Sequence, residues 1–225
     1  MTKPQDSSTH ILLFLKAPVP GAVKTRLAQT LGAATAVEIY RQLVGTQLER
    51  LPDKCTLEIH YAPADAAAAF SEWLGHDHHY YPQPDTGNLG ERIEHAISGA
   101  FQRGARTVLC IGGDCPSLHP QHLEEADEQL RSGQSDLVLG PSPDGGYYLI
   151  GLREAHPQLF KHIRWSSVHT MDDTLRNAKS IGLRTHSLEA MNDIDTIDDL
   201  LAAIAQEHLP PTCLPPEFAP KSRTT

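Results

Sequence analysis

The first uninterrupted apolar run of the chain is Ile11-Leu12-Leu13-Phe14-Leu15, followed by Lys16 and two prolines. Such a run fits a central strand buried on both faces, not the alternation of a half-exposed one. After a loop, Val37, Tyr40, Leu43 or Val44 and Leu48 recur at helical spacing between Ala33 and Leu51, and Pro52 stops the pattern. A short strand is expected over Thr56 to Tyr61, an Ala-rich helix over Ala64 to Leu74, and a weaker extended stretch around His79 to Pro82. Asn88, with Glu91 three residues on, makes a capping arrangement for a helix reaching about Gly104, with Leu89, Ile93, Ile97 and Phe101 on one stripe. Thr107 to Ile111 reads as a strand ending at Gly112-Gly113-Asp114, and Pro120 to Arg131 as a polar helix closed by Gly133. Two strands, Leu137 to Leu139 and Tyr147 to Leu152, flank the turn Pro143-Asp144-Gly145-Gly146. A helix over Val168 to Ile181, a strand around Arg184 to Leu188 and a last helix opened by Thr196 complete the order.

Strands alternating with helices predict an α/β fold, a single domain with a mostly parallel central sheet and helices on both faces. The 225 residues, 40% of them hydrophobic, suffice for one good core. We expect a flexible N-terminus over 1–9, one domain over 10–208 and a tail over 209–225, where prolines stand at 210, 211, 215, 216 and 220. The net charge of -9 opposes a non-specific grip on nucleic acid or anionic lipid, so neither a nucleic-acid nor a membrane partner is expected. The run at Ile11 is too short for a membrane span and has no leader-like flanks, which predicts a soluble cytoplasmic protein. Cys55, Cys110, Cys115 and Cys213 show no C-x-x-C spacing and read as reduced thiols, and His76, His78 and His79 read as a solvated loop, with metal coordination the alternative.

Ligands of parallel sheets sit at the carboxyl ends of the strands, which directs attention to the loops after Leu15 and Ile111. The first runs from Lys16 through Pro18, Pro20 and Gly21 to Lys24-Thr25-Arg26 at a helix start, where free N–H groups and the dipole favour an anion. It outlines a phosphate site but is not a Walker A loop, since Val23 precedes Lys24-Thr25 and Pro18 stands in the place of the first glycine; solvated helix residues are the alternative. The second loop, Gly112-Gly113-Asp114-Cys115-Pro116, suits Asp114 either as a hard-cation ligand or as a turn residue. In Asn192-Asp193-Ile194-Asp195-Thr196, capping and the helix dipole account for Thr196, Asp198 and Asp199. The close pair Asp193 and Asp195 calls for a cation or hydrogen bonds to offset repulsion.

Five stretches together resemble the bacterial family DUF2064: Phe14 to Leu27, Gly87 to Arg92, Ile111 to Leu118, Gly140 to Tyr148 and Asp193 to Thr196. That family is related to 2-phospholactate guanylyltransferase and molybdenum-cofactor nucleotidyltransferases, and its members are also labelled glycosyltransferases of the GT-A type. The resemblance implies a nucleotide-diphospho-sugar-transferase-like fold. It assigns Mg2+ or Mn2+ to Asp114 and Asp195, with Asp193 as a second candidate, and catalysis to Lys24, Arg26 and Asp114. Lys16, Gly21, Lys24, Thr25, Arg26, Asn88 and Arg92 would meet the nucleotide, and Asp144, Gly145 and Gly146 the acceptor, unless that turn is only a tight hairpin. Ile197 stands where relatives usually carry proline, and Asn88 where many carry aspartate. The activity implied is nucleotidyl transfer from an NTP to a phosphorylated small molecule. Glycosyl transfer from a nucleotide sugar and non-catalytic nucleotide binding are the alternatives, and the oligomeric state is left open.

Overall fold

The structure, a computed structural model, describes residues 8–215 and 218. In chain order its elements are β1 (Thr9–Lys16), α1 (Thr25–Leu31), α2 (Ala33–Glu49), β2 (Thr56–Ala62), α3 (Ala67–Leu74), β3 (His79–Pro82) and α4 (Leu89–Gln102). There follow β4 (Thr107–Gly112), α5 (Pro120–Arg131), β5 (Leu137–Pro141), β6 (Tyr147–Leu152), α6 (Thr170–Ser180), β7 (Thr185–Ser187) and α7 (Ile197–Ala205). The seven strands form one sheet in the order β3-β2-β1-β4-β6-β5-β7. Only β6 runs against its neighbours, β4 and β5, because a short turn returns it directly from β5. This is the mostly parallel, helix-covered α/β architecture expected from the alternation of elements.

Side chains of a strand alternate between faces, and β1 shows why its run had to be apolar throughout. Ile11, Leu13 and Leu15 pack with Val37, Tyr40 and Val44 of α2, Phe70 of α3 and Leu123 of α5. Leu12 joins Ile93, Ile97 and Ala100 of α4 and Ala178 of α6 on the opposite face. A third cluster brings Leu27 and Leu31 of α1 and Ile39 and Leu43 of α2 against Leu200 and Ala203 of α7.

Several boundaries differ from expectation. β1 begins at Thr9, so the flexible segment expected over 1–9 is too long; residues 1–7 lie outside the described residues. Hydropathy misses Thr9 and His10 because polar partners hold them: Thr9 Oγ1 donates to Asp127 Oδ1 at 2.7 Å, and His10 Nδ1 lies 2.7 Å from Glu58 Oε1. α3 starts at Ala67, after a turn in which Ala66 N–H donates to Pro63 O. α6 starts at Thr170, and Val168 stays outside it, 68% exposed. The expected tail is corrected too: Leu209, Cys213 and Leu214 are buried in the cluster between α1, α2 and α7, so the packed body extends through Leu214. Residues 216, 217 and 219–225 lie outside the described residues.

Truncation after Pro210 removes the burial of Leu214 and Cys213. We expect a fall in melting temperature of about 4–8 °C, from roughly 2 kcal/mol of lost burial in a chain of this size. An unchanged thermal transition in calorimetry would show that this packing contributes nothing.

Glu58 is the centre of a buried polar knot. It accepts from His10, lies 3.2 Å from His60 Nε2, and accepts from Arg103 Nε at 3.1 Å and from Nη2. Burial would raise its carboxyl, but these partners outweigh burial and hold it well below its ordinary value of 4.5. The unfolded chain therefore takes up the proton first, so the stabilisation is complete above about pH 4.5 and is lost as pH falls from there towards the folded value. Glu58→Gln should lose roughly 3 kcal/mol at pH 7, and its melting temperature should decline less than that of the wild type between pH 5 and pH 3. Parallel slopes would assign the acid sensitivity to other carboxylates.

Candidate functional site

The loops after β1 and β4 and the segment after β7 meet at the carboxyl edge of the sheet. The route of the chain explains the meeting. After β7, Leu188 N–H donates to Leu139 O and Met191 N–H to Pro141 O, which zips the segment along β5. Ile194 N–H then donates to Asp114 O at 3.0 Å. That bond places Asp193 and Asp195, on either side of Ile194, beside the loop that carries Asp114. Thr196 ends the segment as the cap of α7, accepting from Asp199 N–H, while Asp199 Oδ2 accepts from the N–H groups of Asp195 and Thr196.

The loop after β1 turns through Gly21, whose φ of 82° favours a residue without Cβ. Tyr40 of α2 anchors its start: its hydroxyl accepts from Lys16 N–H and donates to Lys16 O. The loop ends at Lys24 in the left-handed conformation, φ 46° and ψ 46°, immediately before α1, whose first turn has no side-chain cap. The Lys24 ammonium lies 2.9 Å from Asp114 Oδ2 and 3.5 Å from Asp195 Oδ1, with only 5% of its side chain exposed. Arg26 reaches Asp195 Oδ2 from outside at 3.0 Å, with 72% of its side chain exposed. Burial would lower the Lys24 pKa, but Asp114, with Asp195 and Asp193, outweighs it and the pKa is raised.

Asp193 completes the cluster. Its Oδ1 is buried and, among the described residues, has no hydrogen-bond partner. Burial first, then the neighbouring charges of Asp114, Asp144 and Asp195, push its carboxyl upward despite Lys24. An unpaired carboxylate oxygen among other carboxylates is the arrangement a hard cation relieves. The donors are all oxygens, so the residues present fit Mg2+ or Mn2+. Among the described residues, no three His, Cys, Asp or Glu side chains are gathered tightly enough to hold an ion by themselves.

A hollow of about 310 Å³ adjoins the cluster, lined by Phe14, Lys16, Lys24, Arg26, Tyr40 and Asp114 among others. Gly113 lines it too, where a Cβ would crowd the buried Leu15 side chain, 2.5 Å from its Cδ2. A larger hollow of about 570 Å³ lies at the amino end of the sheet, lined by Thr9, Cys55 and Asp127. It lies at the far end of the strands from the carboxylates, so its size does not make it the site.

Lys16, Lys24, Thr25, Arg26, Asp114 and Asp195 line the hollow together, and Asp193 lies within reach of the charges of Asp114, Lys24 and Asp195. Others are engaged locally. Asn88 caps α4, its Oδ1 accepting from Glu91 N–H while Glu91 Oε2 accepts from Asn88 N–H. Arg92 is half-buried, and its Nε has no partner among the described residues. Asp144 Oδ1 accepts from Ser142 Oγ and from Gly146 N–H, closing its own turn, and a Cβ on Gly145 would strike the Val168 backbone. One neighbour escaped sequence reasoning: Tyr40 looked only like part of a helical stripe.

The fold is that of the nucleotide-diphospho-sugar transferases. A family model described as "Uncharacterized protein conserved in bacteria (DUF2064)" matches residues 47–167. The chain belongs to the DUF2064 family. It is similar to a solved protein of Desulfovibrio desulfuricans G20 assigned to the nucleotide-diphospho-sugar transferases, with 35% identity over 89% of this chain and 88% of that one, at a TM-score of 0.84. Two more distant structures share the fold. The inositol-1-phosphate CTP transferase of T. maritima has 13% identity, a TM-score of 0.54 and coverage of 89% of this chain and 94% of that one. The glucosyl-3-phosphoglycerate synthase of Mycobacterium tuberculosis, solved with Mn2+, UDP and glucosyl-3-phosphoglycerate, has 9% identity, a TM-score of 0.51 and coverage of 90% and 77%. No curated protein matches the chain. Among the described residues, no helix is long and apolar enough to cross a membrane.

The crowding of like charges has a measurable cost. Asp193→Asn keeps the shape and removes one repelling charge, so in metal-free buffer it should raise the melting temperature by about 2–4 °C, on the order of 1 kcal/mol. A lower melting temperature in differential scanning fluorimetry would mean that the Asp193 carboxylate is stabilised where it stands.

Proposed function

We propose that this protein is a metal-dependent nucleotidyltransferase that moves the nucleotidyl group of an NTP onto a phosphorylated small molecule. The observation that carries the reading is the meeting of Asp114, Asp193 and Asp195 with Lys24 and Arg26 at the mouth of the cleft. A cluster of oxygen donors beside two cations suits a polyphosphate that arrives with its own divalent ion. Two carboxylates plus substrate oxygens and water are the usual setting for Mg2+.

Asp114 and Asp195 would hold Mg2+ or Mn2+, with Asp193 beside them. When bound, the ion adds Lewis-acid charge to the phosphate oxygens. Lys24, Arg26 and the uncapped first turn of α1 take the β and γ phosphates. Asn88 and Arg92, at the start of α4, would meet the nucleotide, and Asp144 to Gly146 would border the acceptor. An oxygen of the acceptor phosphate attacks the α phosphorus in line. The bond from that phosphorus to the β-bridging oxygen breaks, and pyrophosphate leaves with the bonding electrons. Positioning and charge stabilisation carry the step, with no covalent enzyme intermediate.

The two basic residues favour this reaction over glycosyl transfer, because a departing pyrophosphate brings more charge to the loop than a departing NDP. Calorimetric titration with NTPs and nucleotide sugars, with and without Mg2+, tests it together with assays for pyrophosphate. NTPs should bind more tightly. Lys24→Ala should weaken them by about one to two powers of ten, and Asp114→Asn should abolish metal-dependent binding while leaving the circular dichroism unchanged. Tighter binding of a nucleotide sugar with release of free NDP would move the assignment to glycosyl transfer. Nucleotide binding without any turnover would make the protein a binding module.

A further inference from the structure

Lys24 is in an unusual position for a residue meant to meet phosphates. Its ammonium is turned away from solvent, 2.9 Å from Asp114 and 3.5 Å from Asp195, and so lies between the two carboxylates that suit a cation best. Arg26 cannot replace it, since it bonds Asp195 from the solvent side. The backbone of Lys24 adopts the left-handed region, unfavourable for a residue with a Cβ, at the hinge between the Gly21 loop and α1. Two oppositely demanding partners thus compete for the same carboxylates: an ammonium already seated, and a divalent ion that would bring more charge to them.

We infer that Lys24 is a positioning residue that acts as the internal counter-ion of the carboxylates in the metal-free protein and is displaced by the divalent cation. The inference rests on the proposed nucleotidyltransferase reading and deepens it, because it makes the metal and the nucleotide's phosphates cooperate through one side chain. While seated, the ammonium keeps Asp114 and Asp195 close against their repulsion, with the Ile194–Asp114 backbone bond holding the two segments together. Once displaced, the same ammonium is available at the head of α1, beside the hollow where phosphates are proposed to lie. The exchange also imposes an order. Phosphates arriving without a cation meet a lysine already neutralised by two aspartates, and so gain little from it.

Two measurements decide the matter. The first is calorimetric titration of MnCl2, without nucleotide, into wild type, Lys24→Met and Lys24→Gln, each checked for folding by circular dichroism. Removing the competing ammonium should tighten Mn2+ binding by about tenfold or more, the scale of one charge-assisted contact. The second needs no variant: mass spectrometry after brief treatment of the wild type with an amine-acylating reagent. Lys24, whose side chain is 5% exposed, should be modified slowly without Mn2+ and several times faster with it.

Unchanged or weaker Mn2+ binding by folded variants would overturn the exchange, as would a Lys24 reactivity indifferent to Mn2+; if neither variant folds, the labelling experiment alone decides. These outcomes leave the transferase reading standing. Failure of the wild type and the variants to bind Mn2+ even in the presence of an NTP would overturn both.

Discussion

The cleft depends on a repulsion that is only partly offset. Asp114, Asp193 and Asp195 would drive their two segments apart if nothing opposed them, and the fold opposes them in two ways. A backbone bond from Ile194 to Asp114 fixes the spacing of the segments. Lys24, turned inward at the end of the first loop, supplies the charge. Neither suffices alone: Lys24, with Arg26 reaching Asp195 from the solvent side, brings two positive charges to three carboxylates, and one Asp193 oxygen has no partner among the described residues. The surrounding architecture follows from holding this arrangement: Tyr40 pins the start of the loop, Gly113 lets the backbone pass close to Leu15, and the Thr196–Asp199 cap fixes the exit into α7.

Buried polar groups elsewhere behave differently, and the contrast locates function. At the amino edge of the sheet Asp127 accepts from the hydroxyls of Thr9 and Thr107, and on one face of the sheet Glu58 is surrounded by His10, His60 and Arg103. In both places the acid accepts from several donors at once, so the network rigidifies the sheet. At the carboxyl edge the acids outnumber their donors. Such an excess of carboxylates over donors suits a site for something that brings positive charge.

Much of the fold was legible in the residue pattern, because strand and helix periods are local properties of the chain. The run at Ile11 announced a strand with two buried faces, and its residues do divide between α2 and α4. Asn88 with Glu91, and Thr196 with Asp199, announced helix starts that form as capping boxes, since a cap needs partners only three residues apart. The family resemblance and the loops after β1 and β4 directed attention to the residues that now stand around the cleft. Where patterning failed, the deciding partner was remote: Thr9 and His10 extend β1 because Asp127 and Glu58 receive them, and Leu214 is buried because α1, α2 and α7 leave an apolar gap for it.

By itself, then, the sequence determined the order and type of the elements, the α/β class and the loops where chemistry belongs, all of which follow from spacing along the backbone. Only the tertiary structure decided what each of those residues does with its charge. Asn88 spends its carbonyl on a cap and Asp144 spends an oxygen on its own turn, while Lys24 turns inward to an aspartate 90 positions away. Coulomb energy depends on distance in space and on the water excluded around the pair, and neither is encoded in any local repeat of residues.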